Sequence, residues 1–425
     1  MKLTTSYKTK ILHFNNIFNN TLTIYRKALS FVIKVVELEW DNISSYSAYG
    51  KVNTIESCIH NTRNNIAKYD FDSNFYKFPS YLRTSVISKA IGIVSSYKSN
   101  YKNWEQHKIS KPPKLQYNHN SFPVLYNKNM FEKKDGTRMK IKIFWQNDWV
   151  WLNVNVRKQD YEYIKKYKGW NNISSPTLEK KGKCWYLRFA FEENIQLRDH
   201  SPEIITAVDI GINNAAVCVA MRSDGTVLDR KFINFPKEKD QIEKQLNHIK
   251  KAQQNGANRT PRLWAFANNY NKSLTEKTAK AIFEFAVMNK SSMLVFENLS
   301  GLTGKKRGSR KQRLHLWRKQ AIVDMAASKF HRVSGRYCTV NAWNTSNLAY
   351  DGSGRVTRDK DNFSMCTFST GKRYNSDLNA AYNIGARYWL RYADERRPDL
   401  TAHLPTSTQR TLSDLHNFFT KYKKS

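Results

Sequence analysis

The chain changes texture once, at Pro202, and that change limits the folds open to it. Before it, short runs alternate apolar and polar residues, as half-buried antiparallel strands do. After it, nearly continuous apolar strands alternate with helical stretches, as in a sheet covered on both faces. Two architectures are therefore joined in one chain.

The early part opens on an alternating strand, Lys2 to Lys10. Helical spacing follows over residues 11–40 and again from Tyr81 to about Trp104, where an apolar stripe (Val86, Ile87, Ala90, Ile91, Val94, Tyr97, Tyr101) is expected to face the core. Lys111-Pro112-Pro113 ends that pattern. Arg138–Trp145, Trp149–Val156 and Cys184–Phe191 then read as period-two strands of one small barrel, which the first strand joins.

Beyond Pro202, Ile204–Ile210, Ala215–Met221 and Lys231–Phe235 read as three consecutive strands. Helices are expected over Lys237–Gln254 and Leu274–Asn289, and a strand over Ser292–Glu297. Three strands, a helix, a strand and a further helix is the order of an RNase H-like fold.

Charge limits the partner. The 425 residues carry 71 Lys+Arg against 35 Asp+Glu, a formal net charge of +36. The excess is split evenly, +17 over residues 1–200 and +19 over 201–425, so it is not a basic tail on a neutral enzyme. A polyanion, by default nucleic acid, is the expected partner along the whole chain. No apolar run approaches the ~18 residues that span a bilayer, and MKLTTSYKTK lacks an apolar signal core. A cytoplasmic protein with no membrane partner is expected. The cysteines Cys58, Cys184, Cys218, Cys338 and Cys366 form no C-x-x-C pair, which encodes neither a disulfide framework nor a four-cysteine zinc site.

Three acids stand out by context. Asp209 ends an apolar strand and is followed closely by Gly211; Glu297 ends Met-Leu-Val-Phe-Glu; Asp377 opens the helix after Asn375-Ser. An unpaired acid on an apolar strand is costly to bury. Acids from neighbouring strand ends and a helix instead form a hard-oxygen set suited to Mg²⁺, with Mn²⁺ as a substitute. The bland alternatives are that Asp377 merely caps its helix and that Glu297 is an ion-pair partner. A basic run, Lys305-Lys306-Arg307 with Arg310, Lys311, Arg313, Arg318 and Lys319, follows Glu297 closely and contains no acid. It is read as a phosphate-binding segment, the alternative being a solvated loop.

At these acids the chain resembles a known family. Ala-Val-Asp-Ile-Gly-Ile-Asn-Asn, Leu-Val-Phe-Glu-Asn-Leu-Ser-Gly and Ser-Asp-Leu-Asn-Ala-Ala-Tyr-Asn-Ile are similar to the three RuvC motifs of TnpB, the transposon-encoded nuclease related to type V CRISPR effectors. Thr345-Ser346 is similar to the Thr-Ser that precedes that family's zinc ribbon. The motif resemblance covers roughly residues 204–390.

The resemblance implies an α+β multidomain protein, an RNase H-like nuclease joined to a wedge β-barrel with an inserted helical recognition domain. The implied layout is wedge at 1–10 and 111–200, recognition at 11–110, nuclease at 201–344 and 374–392, a target-strand insert at 345–373 and a tail at 393–425. It also implies a Mg²⁺-dependent, RNA-guided DNA endonuclease, with Asp209, Glu297 and Asp377 as catalytic metal ligands in two-metal-ion hydrolysis. The implied partners are a transposon-derived guide RNA and a double-stranded target beside a short flanking motif. One departure stands out. Where the family carries two Cys-x-x-Cys pairs, this chain has Leu348 and Asp351, then Cys366 and Ser369, so no structural zinc is expected. Turn chemistry at Asp351-Gly-Ser-Gly354 and packing of Tyr350 on Phe368 are expected to hold the insert instead. Three alternatives share parts of this reading: a miniature type V CRISPR effector, a nuclease-inactive RNA-guided repressor, and an unguided RNase H-like transposase.

Overall fold

A computed structural model of the chain describes residues 1–12, 16–108, 111–170, 174–198, 202–211, 214–257, 259–299, 317–359, 361–362 and 364–392. The chain divides into two compact units, Lys2–Asn194 and the remainder from Ile195 together with Met1.

The first unit begins with β1 (Lys2–Lys10), then α1 (Asn19–Leu38), α2 (Trp40–Ile43), α3 (Ala48–Ile59), α4 (Phe71–Asn74) and α5 (Ser80–His107). It continues through β2 (Phe131–Lys133), β3 (Arg138–Trp145), β4 (Asp148–Asn155), α6 (Lys158–Tyr167), β5 (Thr177–Lys181) and β6 (Cys184–Asn194). Among the described residues these strands form two antiparallel sheets, β1-β6-β5 and β2-β3-β4. The end of β1 bridges the end of β4 at Ile11 and Val156, and Val124 bridges β5 at Thr177. Helix α1 fills the space between the sheets: Phe18 packs edge-on against Trp185, and the Thr21 hydroxyl accepts the Phe144 N–H at 2.9 Å. One apolar core results, running from Tyr25 and Val32 through Ile141 to Phe189.

Helix α5 corrects its expected stripe. Val86, Ile87, Ala90 and Val94 are buried, but Ile91, Tyr97, Tyr101 and Trp104 are only half-buried, and the last three pack on one another at 5.9 and 5.5 Å.

The second unit is a layered α/β structure. Its elements are β7 (Ile204–Asp209), β8 (Ala216–Arg222), β9 (Val227–Ile233), α7 (Pro236–Gln254), α8 (Pro261–Met288), β10 (Met293–Asn298), α9 (Lys319–His331) and β11 (Arg336–Asn341). A small antiparallel sheet of β12 (Thr357–Arg358), β13 (Met365–Thr367) and β14 (Arg373–Asn375) leads into α10 (Ser376–Tyr392). The main sheet has the order β11-β10-β7-β8-β9. Strands β7, β8 and β9 are antiparallel; β10 runs parallel to β7, and β11 parallel to β10.

Period-two geometry explains why these strands read as continuous apolar runs. Ile205, Ala207, Val217, Val219 and Val295 face α10, while Val208, Cys218, Leu294 and Phe296 face α8 and α9. Both faces are covered, so both sets are apolar. Helix α10 lies close to the sheet because Gly385 has no side chain; a Cβ there would stand 3.0 Å from the Met221 sulfur and 3.3 Å from the Ala207 Cβ. The helix expected from Leu274 starts at Pro261, a residue suited to the first helical turn because its missing N–H goes unused there. The strand expected from Lys231 starts at Val227, after a turn in which Asp224 accepts the Thr226 N–H.

No described helix is long and apolar enough to cross a membrane. The basic residues Lys305 to Arg313 and the tail 393–425 lie outside the described residues.

Candidate active site

Strand parity brings the first two acids together. In β7, Ile205 and Ala207 face α10, so Asp209 does as well; in β10, Met293 and Val295 face α10, so Glu297 does as well. The parallel register pairs Phe296 with Val208, which makes Glu297 and Asp209 neighbours at adjacent C-terminal strand ends. That is where an open parallel arrangement places ligands, since both strands stop there and the chain turns away.

Asp377 arrives from the first turn of α10. It does not cap the helix. The Asn375 side-chain oxygen does so, accepting the N–H groups of Asp377 at 3.1 Å and Leu378 at 2.9 Å. The Asp377 carboxylate is thereby left for other use, and it accepts the Asn214 amide at 2.7 Å.

Asp209 senses the charges of the other two acids. Asp209 sits deep in the fold, though part of its surface is open, and its carboxyl is pushed well above the usual range. Burial is the largest cause, followed by the negative charges of Glu297 and Asp377, with Arg358 opposing. Glu297 is also raised, mainly by burial, against the Thr345 hydroxyl that donates to it and the charge of Arg387. Each acid has one cation in its field: Arg358 for Asp209, Arg387 for Glu297 and Lys239 for Asp377. Arg387 also donates to the carbonyls of Asn341 and Trp343, and Arg358 donates to the Ser376 hydroxyl at 2.8 Å.

An oxygen donor such as Asp209, raised by burial and by the charges of Glu297 and Asp377, suits a hard divalent cation, which would relieve that repulsion. Among the described residues, no group of three or more His, Cys, Asp or Glu is placed so as to hold a metal ion.

Two asparagines one turn apart on α10 fasten the adjoining loop. Asn379 donates to the Leu348 carbonyl at 2.7 Å and accepts the Tyr350 N–H at 2.8 Å. Asn383 donates to the carbonyls of Thr345 and Leu348, both at 2.8 Å. The same fastening places Thr345 against Glu297. Spacing alone does not reveal Asn214, Arg358, Arg387 or Lys239. The sequence signal for Asn379 and Asn383 was visible, since two amides i and i+4 on an otherwise apolar helix face need partners.

The small sheet after Leu348 is built from apolar packing and turns. Cys366, Phe368 and Ala349 are its buried core, and Tyr350 packs edge-on against Phe368 at 5.6 Å. The Asp351 carboxylate accepts the Ser353 N–H at 3.0 Å, and Gly352 holds a φ of 76° that favours glycine. Ser369 donates to the Ser353 carbonyl. Of the basic run, Arg318 stands at the N-terminal boundary of α9, and Lys319 spends its ammonium on the Leu299 carbonyl.

A TnpB-like protein of Aquifex aeolicus (strain VF5), aq_aa05, is 23% identical over 257 residues, 54% of this chain and 82% of its own length. The chain is similar to this TnpB-like protein. The model of the Aq_aa04 family matches the chain over residues 5–145. Among solved structures, that of a Cas12f1–sgRNA–target DNA complex is similar at a TM-score of 0.56, with 18% identity, over 87% of this chain and 81% of the other. The mini-RNA-guided endonuclease CRISPR-Cas_phi3 is similar at a TM-score of 0.54, with 11% identity, over 91% and 92%. At those identities the likeness is one of fold: the chain shares the α+β multidomain architecture of these structures.

Proposed function

We propose that the chain is an RNA-guided, Mg²⁺-dependent DNA endonuclease of a transposable element, with Asp209, Glu297 and Asp377 as its catalytic metal ligands. The observation that carries this is the convergence of three acids, 88 and 80 residues apart, on one face of one sheet. The strand order β11-β10-β7-β8-β9 with helices on both faces is that of an RNase H-like nuclease, which supports assigning 201–344 and 374–392 to that domain. In this reading 1–10 and 111–200 are the wedge, 11–110 the recognition domain and 345–373 the target-strand insert, and the protein works in the cytoplasm. Relatives solved with guide RNA and target DNA, together with the +36 charge, support a transposon-derived guide RNA and a double-stranded target as partners.

The chain's own groups have definable roles. Asn214 holds one Asp377 oxygen, so the other would be left to hold a metal. Thr345 fixes the Glu297 rotamer. Arg387 and Arg358 limit the repulsion among the acids without neutralising them. A bound Mg²⁺ supplies positive charge beside the scissile phosphodiester and acidifies water. The basic residues Lys305, Lys306, Arg307, Arg310, Lys311, Arg313 and Arg318 follow Glu297 in sequence and add salt-dependent phosphate affinity. Lys319, held by a carbonyl, adds less.

Sequencing the RNA that copurifies, and offering the purified complex a matched target, tests the proposal. A defined RNA ending in a transposon-derived guide, with Mg²⁺-dependent cutting, is the expected result. An RNA bearing CRISPR repeat sequence identifies a miniature type V effector instead. Cutting or joining without RNA identifies an unguided transposase, and guided binding without cutting a repressor.

A further inference from the structure

An open groove of about 620 Å³ lies beside Asp377, lined by Asn214, Phe232, Asn234, Asn362, Ser364 and Asn375. Register places it. Asp209 pairs with Val217 and Val217 with Phe232, so the three side chains share one row and one face of the sheet. Phe232 thus stands two strands, about 10 Å, from Asp209. It is 44% exposed, an aromatic ring offered to solvent at the edge of the candidate active site.

The groove's chemistry is that of base recognition rather than phosphate binding. Among the described residues no Lys or Arg lines it, and its charged lining residue, Asp361, is an acid. Its asparagines are oriented by groups that can only donate or only accept. The Asn234 oxygen accepts the Phe235 N–H, the Asn362 oxygen accepts the Ser364 N–H, and the Asn375 oxygen accepts two backbone N–H groups. In each of these asparagines the oxygen is engaged, so the NH₂ is the group left to serve a ligand. Asn214 gives its amide to Asp377 and keeps its oxygen. Three amide donors, one acceptor and a stackable ring match an unpaired nucleobase with carbonyl oxygens.

We infer that this groove receives the base of one unpaired nucleotide next to the scissile phosphate, stacked on Phe232 and held by the amides of Asn234, Asn362 and Asn375. The inference rests on the nuclease reading above and adds a substrate contact to it. It requires the cut strand to be single-stranded at that position, and it predicts a preference there for bases with carbonyl oxygens.

The test is an abasic scan of the cut strand with the copurified RNA–protein complex, wild type against Phe232→Ala, Phe232→Trp and Asn234→Ala. Phe232 is exposed, so melting temperatures of its variants should match the wild type. At one position near the cut, an abasic site is expected to lower cleavage about five- to hundredfold, the loss of one base–aromatic stack. Phe232→Ala should cause the same loss, the two together no more than either, and Phe232→Trp little. Asn234→Ala should weaken the base preference at that position. Normal cutting with a flat scan, or losses that multiply, overturns the inference alone. A complex that cuts nothing overturns the nuclease reading and the inference with it.

Discussion

Each unit holds one notable acid, and their surroundings are opposites. Glu39, in the first unit, is only 6% exposed, and its carboxylate accepts bonds from Lys68, from the Tyr69 hydroxyl at 2.7 Å and from Asn42 at 2.8 Å. Those donors hold its carboxyl down to about 2. Asp209, in the second unit, is more open, faces two further acids and is raised. Burial of an acid therefore does not mark a functional site. The sign of the field around it does: Glu39 sits among donors that complete it, Asp209 among acids that only a cation can reconcile.

Substitutions separate the two most strongly. Asp209→Asn is expected to reduce cleavage by at least about a thousandfold, with Glu297→Gln and Asp377→Asn similar, while raising the melting temperature in EDTA. Glu39→Gln should do the reverse, costing about 1–3 kcal/mol of stability and leaving the cleavage rate per folded molecule unchanged. Melting curves beside single-turnover cleavage read both. Full cutting by any of the three acid variants breaks the site assignment.

pH sharpens the contrast because the signs differ. Glu39 is depressed in the folded state, so its contribution is present above the unfolded value of ~4.3 and is lost as pH falls toward 2. Asp209 is raised, so the metal-free second unit loses stability as pH rises above ~4. In EDTA melts, the deficit of Glu39→Gln should shrink below that pH, and the advantage of Asp209→Asn should grow above it.

Smaller effects follow for the supporting groups. Asn214→Ala should weaken apparent Mg²⁺ affinity by about 10–100-fold, with partial rescue at higher Mg²⁺. Rescue failing at every concentration would assign Asn214 to the fold instead. Cys366→Ala should cost about 1 kcal/mol, the loss of a small buried group, and metal analysis of the purified chain should find no stoichiometric zinc. One zinc per chain would contradict the account of the insert as held by Tyr350, Phe368 and the Asp351 turn.

The second unit was more legible in the sequence than the first. Continuous apolar strands flanked by helices have few arrangements, and an acid at the end of such a strand is conspicuous, so Asp209, Glu297 and Asp377 were readable individually. Their grouping was readable too, but not how it is built, which depends on β7 and β10 being parallel neighbours and on Gly385 admitting α10. The alternating strands of the first unit did not disclose that they divide into two three-stranded sheets, since period-two spacing says which face is buried but not which strand lies beside which. Asn214 and Phe232 were missed for the same reason: a polar residue after a strand and an aromatic on an edge strand are common, and only the register gives them a place beside Asp377 and Asp209.

Thermal unfolding of the purified chain, free of nucleic acid, with and without Mn²⁺, tests the acid cluster most directly, because a ligand that binds only the folded state must raise its melting temperature. The account predicts a rise of several degrees for the wild type, the same rise for Glu39→Gln from its lower starting point, and none for Asp209→Asn. An equal rise in Asp209→Asn, or no rise in the wild type at millimolar Mn²⁺, would contradict it.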